Sequence, residues 1–153
     1  MKYIPSVYLA GAIRTEQDYV WRKDFVREFK NKFLFRIPSD IITMGVNKGM
    51  GQFNPTAYMT YRTDIDLIDR SEIVVANLLP MADGYPSIGT LFEVGYARAK
   101  GKLLFIVADA KRKEHPFLAF GADGFYANFG ELYDFLHRYL DTLNGECWVF
   151  DKV

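Results

Sequence analysis

Short apolar runs alternate with segments of helical periodicity, and this pattern constrains the fold more than any other feature of the sequence. The clearest runs are 73–79 and 103–107, and shorter runs lie at 7–10 and 33–35. Continuous apolar runs of this length are typical of strands that are buried on both faces of a parallel sheet. Strands that alternate with helices predict an α/β fold, in which helices cover both faces of the sheet.

Helices are predicted between the apolar runs. Apolar side chains recur at near-helical spacing over 16–31, and further helices are predicted over 55–69, 90–100 and about 130–143. The terminal run 148–150 would form either a last strand or an anchor. The pattern therefore predicts a sheet of about five strands.

Size and charge narrow the class of protein. A chain of 153 residues is long enough for one domain with its own core, so we expect a single domain over 1–153. The 19 basic and 19 acidic residues cancel, which argues against a nucleic-acid binder and against attachment to anionic lipid. One cysteine and two histidines supply neither an internal disulfide nor a zinc site of Cys and His ligands.

The same features predict a cytoplasmic protein. No apolar run approaches the roughly 20 residues that a membrane helix needs. The apolar stretch near the N-terminus contains Pro5 and ends before Arg14, which predicts a first strand and not a signal peptide. The lone Cys147 fits a reducing compartment.

Three segments that follow the predicted strands are candidates for a ligand site. Parallel sheets bind ligands outside the carboxyl ends of their strands, which directs attention to 10–16, 77–93 and 108–124. The segment 39–56 contains four Gly or Pro residues, and a loop of this length is typically functional or mobile.

Glu93 has two interpretations. In the first, Thr90 caps a helix and Glu93 bonds back to the capped amide, as in a capping box. In the second, Glu93 is a carboxylate in the cleft, and its place in the first helical turn favours the ionised form through the helix dipole. An ionised carboxylate can attack an electron-poor sugar carbon and hold it covalently.

Two further segments carry candidate polar groups. Asp64 lies late in a predicted helix, where it belongs either to a solvated acidic face or to a site as a proton donor for a leaving group. Gly11 follows the first strand, where glycine lets backbone amides approach an anion. Tyr8 fits either the core or the site, and Arg14 fits either the surface or the site.

Taken together, these segments resemble the nucleoside 2-deoxyribosyltransferase family. The shared features are the Tyr-Leu-Ala-Gly opening at 8–11, Asp64 before the strand at 73–79, and the Gly-Thr-x-x-Glu-x-Gly-Tyr-Ala motif at 89–97. The resemblance extends from about Val7 to Val107. It implies a flavodoxin- or Rossmann-like three-layer fold and cleavage of the N-glycosidic bond of 2′-deoxynucleosides, with no metal or organic cofactor.

The resemblance also implies roles for individual residues. Glu93 would be the nucleophile that forms a deoxyribosyl-enzyme, Tyr8 would hold that carboxylate in place, and Asp64 would protonate the departing base. A second base would then accept the sugar, in a reaction suited to nucleotide salvage. The implied substrate-binding residues are Gly11, Ile13, Arg14, Ser87 and Gly89.

Two positions depart from the family pattern. Transferases that act on free nucleosides commonly carry an aspartate six residues before the nucleophile, whereas this chain has Ser87. A serine can donate a hydrogen bond to a 5′-phosphate, whereas a carboxylate would repel it. At Ser87 the chain is therefore similar to the related 2′-deoxynucleoside 5′-monophosphate N-hydrolases. The polar residue that a neighbouring subunit contributes in both branches should fall near 115–117, and Pro116 occupies that place.

Three functions follow from these observations. The resemblance favours a transferase that uses deoxynucleosides and free nucleobases, with a deoxynucleotide N-hydrolase as the alternative. A nucleotide-binding module without turnover is a third candidate, because a fold alone does not determine a function. The resemblance also implies a homo-oligomer, a dimer or larger, with a shared active site.

Overall fold

The structure, a computed structural model, describes residues 2–13, 15–38, 55–80 and 84–145. Four features of the sequence analysis lie outside these ranges: Arg14, the segment 39–54 of the predicted long loop, Cys147 and the terminal run 148–150.

The sheet has five parallel strands. They are β1 (Ser6–Ala10), β2 (Leu34–Arg36), β3 (Ile73–Asn77), β4 (Leu103–Val107) and β5 (Gly124–Tyr126). Their order across the sheet is β2-β1-β3-β4-β5, and every neighbouring pair is parallel. This is the strand order of the flavodoxin-like folds, so the predicted α/β class is confirmed.

Four long helices cover the two faces of the sheet. They are α1 (Val20–Glu28), α2 (Pro55–Asp69), α3 (Ile88–Ala99) and α6 (Phe129–Leu143). Shorter elements are a 3-10 helix (Glu16–Tyr19), α4 (Ala110–Lys113) and α5 (Pro116–Ala119). Side chains alternate between the faces of each strand, so β1 directs Val7 and Leu9 toward α1 and α6. It directs Tyr8 and Ala10 toward α2 and α3.

The segment after β4 differs most from the sequence prediction. The sequence predicted neither a helix nor a strand between the run at 103–107 and the helix at about 130, but this segment contains α4, α5 and the edge strand β5. The three residues of β5 are each only half-buried, because an edge strand has a single neighbour. The strand β5 begins at Gly124, and a glycine in so short a run is ordinarily a turn signal, which is why the prediction missed this strand.

Candidate active site

Tyr8 and Glu93 are joined across the centre of the fold. Tyr8 lies in the middle of β1, is fully buried, and faces the helices α2 and α3. Its hydroxyl donates a hydrogen bond to Oε1 of Glu93 on α3, at 2.9 Å. The strand order changes direction between β1 and β3, and in such sheets this switch point is where ligands bind.

Asp64 completes a cluster with these two residues. It lies on α2 and is only 8% exposed. Its negative charge raises the pKa of both Tyr8 and Glu93, which places its carboxyl group near both. The interpretation of Asp64 as part of a solvated acidic face is therefore wrong, whereas Asp66 and Asp69 on the same helix are exposed.

The environment of Glu93 favours the protonated carboxyl more than an exposed site would. Burial is the largest effect and raises its pKa to about 7, and the charge of Asp64 acts in the same direction. The hydrogen bond from Tyr8 and the positive charge of Arg22 lower the pKa but do not offset burial. Near neutral pH, protonated and ionised forms are both populated, as suits a group that exchanges charge during a reaction.

The capping-box interpretation of this segment is wrong. The helix α3 begins at Ile88 with Ser87 as its N-cap, so Thr90 is its third residue and Glu93 its sixth. Glu93 thus lies in the second turn, beyond the reach of most of the helix dipole. The expected stabilisation of the ionised form by the helix end is consequently absent, and burial determines the pKa.

One oxygen of Glu93 is left open. Oε1 accepts the hydrogen bond from Tyr8, while Oε2 is buried and has no hydrogen-bond partner among the residues that the structure describes. Buried carboxylate oxygens are rarely left unsatisfied, because desolvation without a partner is costly. Such an atom is suited to contact a substrate group that enters the site.

The phenol of Tyr8 is a permanent donor in this cluster. Burial, followed by the charges of Glu93 and Asp64, raises its pKa far above the ordinary value. The hydroxyl therefore stays protonated at any physiological pH. It can hold Oε1 of Glu93 whether that carboxyl is ionised or protonated.

Arg22 is a buried residue beside the cluster that the sequence reasoning missed. Only 1% of Arg22 is exposed, and its guanidinium donates to the carbonyl oxygens of Leu9, Gly11, Ala12 and Asp18 at 2.7 to 3.1 Å. These bonds fix the path of the chain after β1. A signal existed in the sequence: Arg22 shares a helical face with apolar residues at positions 19, 26 and 29.

The remaining predicted binding residues border the carboxyl edge of the sheet. Gly11 is buried, and a side chain there would meet the ring of Trp21 at 2.9 Å, so packing requires the glycine. Ile13 and Ser87 are half-buried, and Gly89 is exposed in the first turn of α3. The binding roles of these residues stay predictions.

The described residues provide neither a metal-binding cluster nor a membrane-spanning helix. Within the ranges given above, no group of three or more His, Cys, Asp or Glu side chains is placed to hold a metal ion. In the same part of the chain, no helix is both long and apolar enough to span a membrane.

Fold and site together define an α/β protein with a flavodoxin-like strand order and a buried Tyr–Asp–Glu cluster beside the switch point of the sheet. The sequence model described as nucleoside 2-deoxyribosyltransferase matches residues 7–134. The chain therefore belongs to the nucleoside 2-deoxyribosyltransferase family, and the resemblance noted in the sequence is confirmed. No curated protein matches the sequence significantly.

Several solved structures share this fold. A 2-deoxyribosyltransferase from Leishmania mexicana is 22% identical with a TM-score of 0.62, and the match covers 88% of this chain and 98% of that one. The 2-deoxyribosyltransferase from Bacillus psychrosaccharolyticus is 13% identical with a TM-score of 0.67, over 88% and 95% of the chains. A CMP N-glycosidase from Clostridium botulinum is 21% identical with a TM-score of 0.55, over 88% and 98%.

Proposed function

We propose that the protein cleaves the N-glycosidic bond of 2′-deoxynucleosides through a covalent intermediate on Glu93 and transfers the deoxyribosyl group to a second nucleobase. The observation that carries this proposal is the unequal state of the two Glu93 oxygens. Tyr8 holds Oε1, and Oε2 is buried without a partner in the described residues. The free Oε2 is the atom that would attack the anomeric carbon.

The first half of the proposed reaction forms an ester. A lone pair of Oε2 attacks C1′ of the sugar, and the bond between C1′ and the base nitrogen breaks with its electrons going to the base. Asp64, in its protonated form, transfers its proton to the departing base. The charge that develops on the sugar is stabilised by the fixed carboxylate of Glu93.

The second half of the reaction reverses these steps with a different acceptor. A nitrogen of the incoming base attacks C1′, the ester bond to Oε2 breaks, and Glu93 leaves as a carboxylate. Asp64 takes up the proton that the incoming base loses and so returns to its starting state. Water as the acceptor would give hydrolysis by the same route. No step requires a metal or an organic cofactor.

A specific observation favours 2′-deoxynucleoside 5′-monophosphates as alternative substrates. Ser87 is the N-cap of α3, but its hydroxyl makes no capping hydrogen bond. The first amides of the helix and this hydroxyl together provide donors that suit a phosphate. Ser87 precedes Glu93 by six residues, or roughly 9 Å along the helix axis. A monophosphate bound with C1′ at Glu93 would direct its 5′-phosphate toward this end of α3.

The proposal includes a homo-oligomer in the cytoplasm. Large apolar side chains are strongly exposed on α3, α5 and the loop before α3: Phe117 and Phe120 are each 84% exposed, Ile88 79% and Tyr85 70%. Exposed apolar surface of this kind is typical of a protein interface. A second copy of the chain, which would bring its 115–123 segment near Glu93, is the occupant that we propose.

Substrate assays distinguish the candidate functions. The protein is incubated with deoxyinosine, deoxycytidine or their 5′-monophosphates, each with and without free adenine. Exchange of the base indicates the transferase, and base release from monophosphates alone indicates the hydrolase. Binding without either reaction would leave only the nucleotide-binding module.

The covalent step has its own test. Mass spectrometry of enzyme quenched during turnover should find a deoxyribosyl adduct on the peptide that contains Glu93. Glu93→Ala should abolish turnover while the circular dichroism spectrum stays native. A variant that retains more than a tenth of the wild-type rate would contradict the role of Glu93 as nucleophile.

A further inference from the structure

We infer that Thr90 is a specificity-determining residue whose hydroxyl bonds to a hydroxyl group on the face of the furanose opposite the base. This inference rests on the proposed function of Glu93. It assigns a role to a side chain that the sequence analysis considered only as a helix cap.

The hydroxyl of Thr90 is buried. Thr90 is 1% exposed, and its Oγ1 has no hydrogen-bond partner within the described part of the chain. Thr90 is the third residue of α3, so the residue four positions earlier lies before the helix, and the hydroxyl does not make the back-bond that is common for threonines deeper in a helix. An isosteric valine would avoid the desolvation cost, so the unpaired hydroxyl needs an explanation other than stability.

The position of Thr90 relative to Glu93 supplies that explanation. The two residues are three positions apart on α3, so their side chains project from the same face of the helix. Thr90 lies roughly 4.5 Å closer than Glu93 to the carboxyl edge of the sheet, along the helix axis. Each of the two carries a buried oxygen that has no hydrogen-bond partner among the described residues, Oγ1 of Thr90 and Oε2 of Glu93. One ligand can therefore satisfy both atoms.

The stereochemistry of the sugar determines which of its groups meets Thr90. A nucleophile that displaces the base approaches C1′ from the opposite face of the furanose. The 3′-hydroxyl of a 2′-deoxynucleoside lies on that face, as does the 2′-hydroxyl of a ribonucleoside. A furanose whose C1′ faces Oε2 of Glu93 thus presents these hydroxyls toward α3, where Oγ1 of Thr90 can donate or accept.

Substrates that differ by one hydroxyl test the assignment. The kcat/KM values of wild type and Thr90→Val are measured with a 2′-deoxynucleoside, the matching 2′,3′-dideoxynucleoside and the matching ribonucleoside. Thr90→Ser, which retains a hydroxyl, and Thr142→Val are the controls. Thr142 lies on α6, where its hydroxyl bonds to the Arg138 carbonyl, away from the cluster. Melting temperatures of all variants accompany the assays.

The expected result is a loss of discrimination. Thr90→Val should melt at or above the wild-type temperature, because it removes an unsatisfied buried group. Its kcat/KM for the substrate that carries the contacted hydroxyl should fall roughly tenfold, while that for the analogue without it should stay near the wild-type value. Thr90→Ser should keep most of the discrimination.

Two results would overturn the inference. One is an equal change, or no change, in kcat/KM for all three substrates. The other is a lower melting temperature for Thr90→Val with unchanged discrimination, which would make the hydroxyl structural. If the wild type turns over none of the substrates, the proposed function fails separately. Calorimetric binding of the same three nucleosides to wild type and Thr90→Val then decides whether Thr90 contacts the sugar.

Discussion

The Tyr8 hydroxyl and the Glu93 carboxylate are 85 positions apart in the sequence and 2.9 Å apart in the fold. The bond orients the carboxyl group, since it occupies Oε1 and leaves Oε2 available. It also connects the interior strand β1 to the helix α3, and the cluster depends on this connection. We therefore expect Tyr8 to act as a positioning residue, whose loss should affect Glu93 more than it affects the fold.

The first prediction concerns Tyr8→Phe. Phenylalanine fills nearly the same space, so the fold should persist while kcat falls by one to two orders of magnitude. In the wild type, the hydrogen bond from Tyr8 lowers the pKa of Glu93. Its loss should raise that pKa, so the acidic limb of the pH–rate profile should move above about 7 in the variant. Tyr133→Phe on α6 is the control. An unmoved acidic limb would contradict the role of Tyr8.

The second prediction concerns stability and pH at Glu93. Burial raises the pKa of this carboxyl to about 7 from an ordinary value of 4.5, so the folded state binds the proton more tightly than the unfolded state does. The free energy of unfolding should therefore decrease as the pH rises from about 4.5 to 7. Glu93→Gln lacks this dependence and keeps an acceptor for Tyr8.

The test compares the free energies of unfolding of the wild type and Glu93→Gln over a range of pH. Above pH 7, Glu93→Gln should exceed the wild type in free energy of unfolding by an amount on the order of 3 kcal/mol at most, and the difference should vanish below pH 4.5. Urea unfolding at several pH values measures it. Glu114→Gln, at an exposed position, should follow the wild-type curve. A constant difference across the pH range would count against the raised pKa.

The third prediction concerns Asp64→Asn. An amide cannot supply a proton, so the variant should lose most activity on substrates with poor leaving groups and less on substrates whose base leaves easily. Asp66→Asn is the matched control, because Asp66 is exposed on the same helix and pairs with Arg70 at the surface. An equal loss on good and poor leaving groups would remove the acid role and leave a positioning one.

The fourth prediction concerns Ser87→Asp. An aspartate at the N-cap of α3 would place a negative charge beside a bound 5′-phosphate, a repulsion on the order of 1 to 4 kcal/mol. The KM for deoxynucleoside monophosphates should rise tenfold or more, with free nucleosides unchanged or improved. Ser87→Ala separates loss of the hydroxyl from gain of charge. If the wild type already prefers free nucleosides, the serine is a neutral replacement.

The fifth prediction concerns the exposed aromatic surface. Phe117→Glu or Phe120→Glu should convert the oligomer to a monomer in light scattering, because a charge would be buried in the proposed interface. If a neighbouring subunit completes the pocket, the variants that no longer assemble should also lose activity. Phe92→Glu, at a half-exposed site on α3, tests whether the interface extends toward α2. A wild type that is monomeric and fully active would contradict the shared site.

The sequence predicted the parts of the fold that bury continuous apolar runs. The strands β3 and β4 lie where their apolar runs indicated, because burial of such runs on both faces of a sheet specifies a strand, and the helix α2 lies over the predicted range 55–69. The start of α3 was misplaced, since Ser87 and Thr90 are both favourable N-cap residues and local pattern cannot choose between them. The expectation that Glu93 would be ionised through the helix dipole was wrong, because its pKa depends mainly on burial by elements that are distant in the sequence.

Contacts between helices and strands could be predicted from the sequence only in part. The resemblance brought Tyr8, Asp64 and Glu93 together as residues of one site, although nothing local connects strand β1 to helices α2 and α3. Arg22 was not anticipated, because an arginine on an apolar helical face is ordinarily expected to extend toward solvent. Its four acceptors are backbone atoms, which leave no mark in the sequence.

The backbone acceptors of Arg22 determine which positions of the turn after β1 tolerate substitution. The Arg22 hydrogen bonds found within the described residues all go to backbone carbonyl oxygens, which every residue type carries, so substitutions of the side chains at positions 12 and 13 should leave these bonds in place. If these residues line the proposed site, as the family resemblance implies for Ile13, substitutions there can change its wall without releasing the turn. Gly11 is the exception, since Trp21 fills its side-chain space. The Arg22 guanidinium thus fixes the backbone of the turn and leaves its side chains free to vary. Positions 12 and 13 are therefore the ones to randomise in a library that seeks activity on new nucleosides.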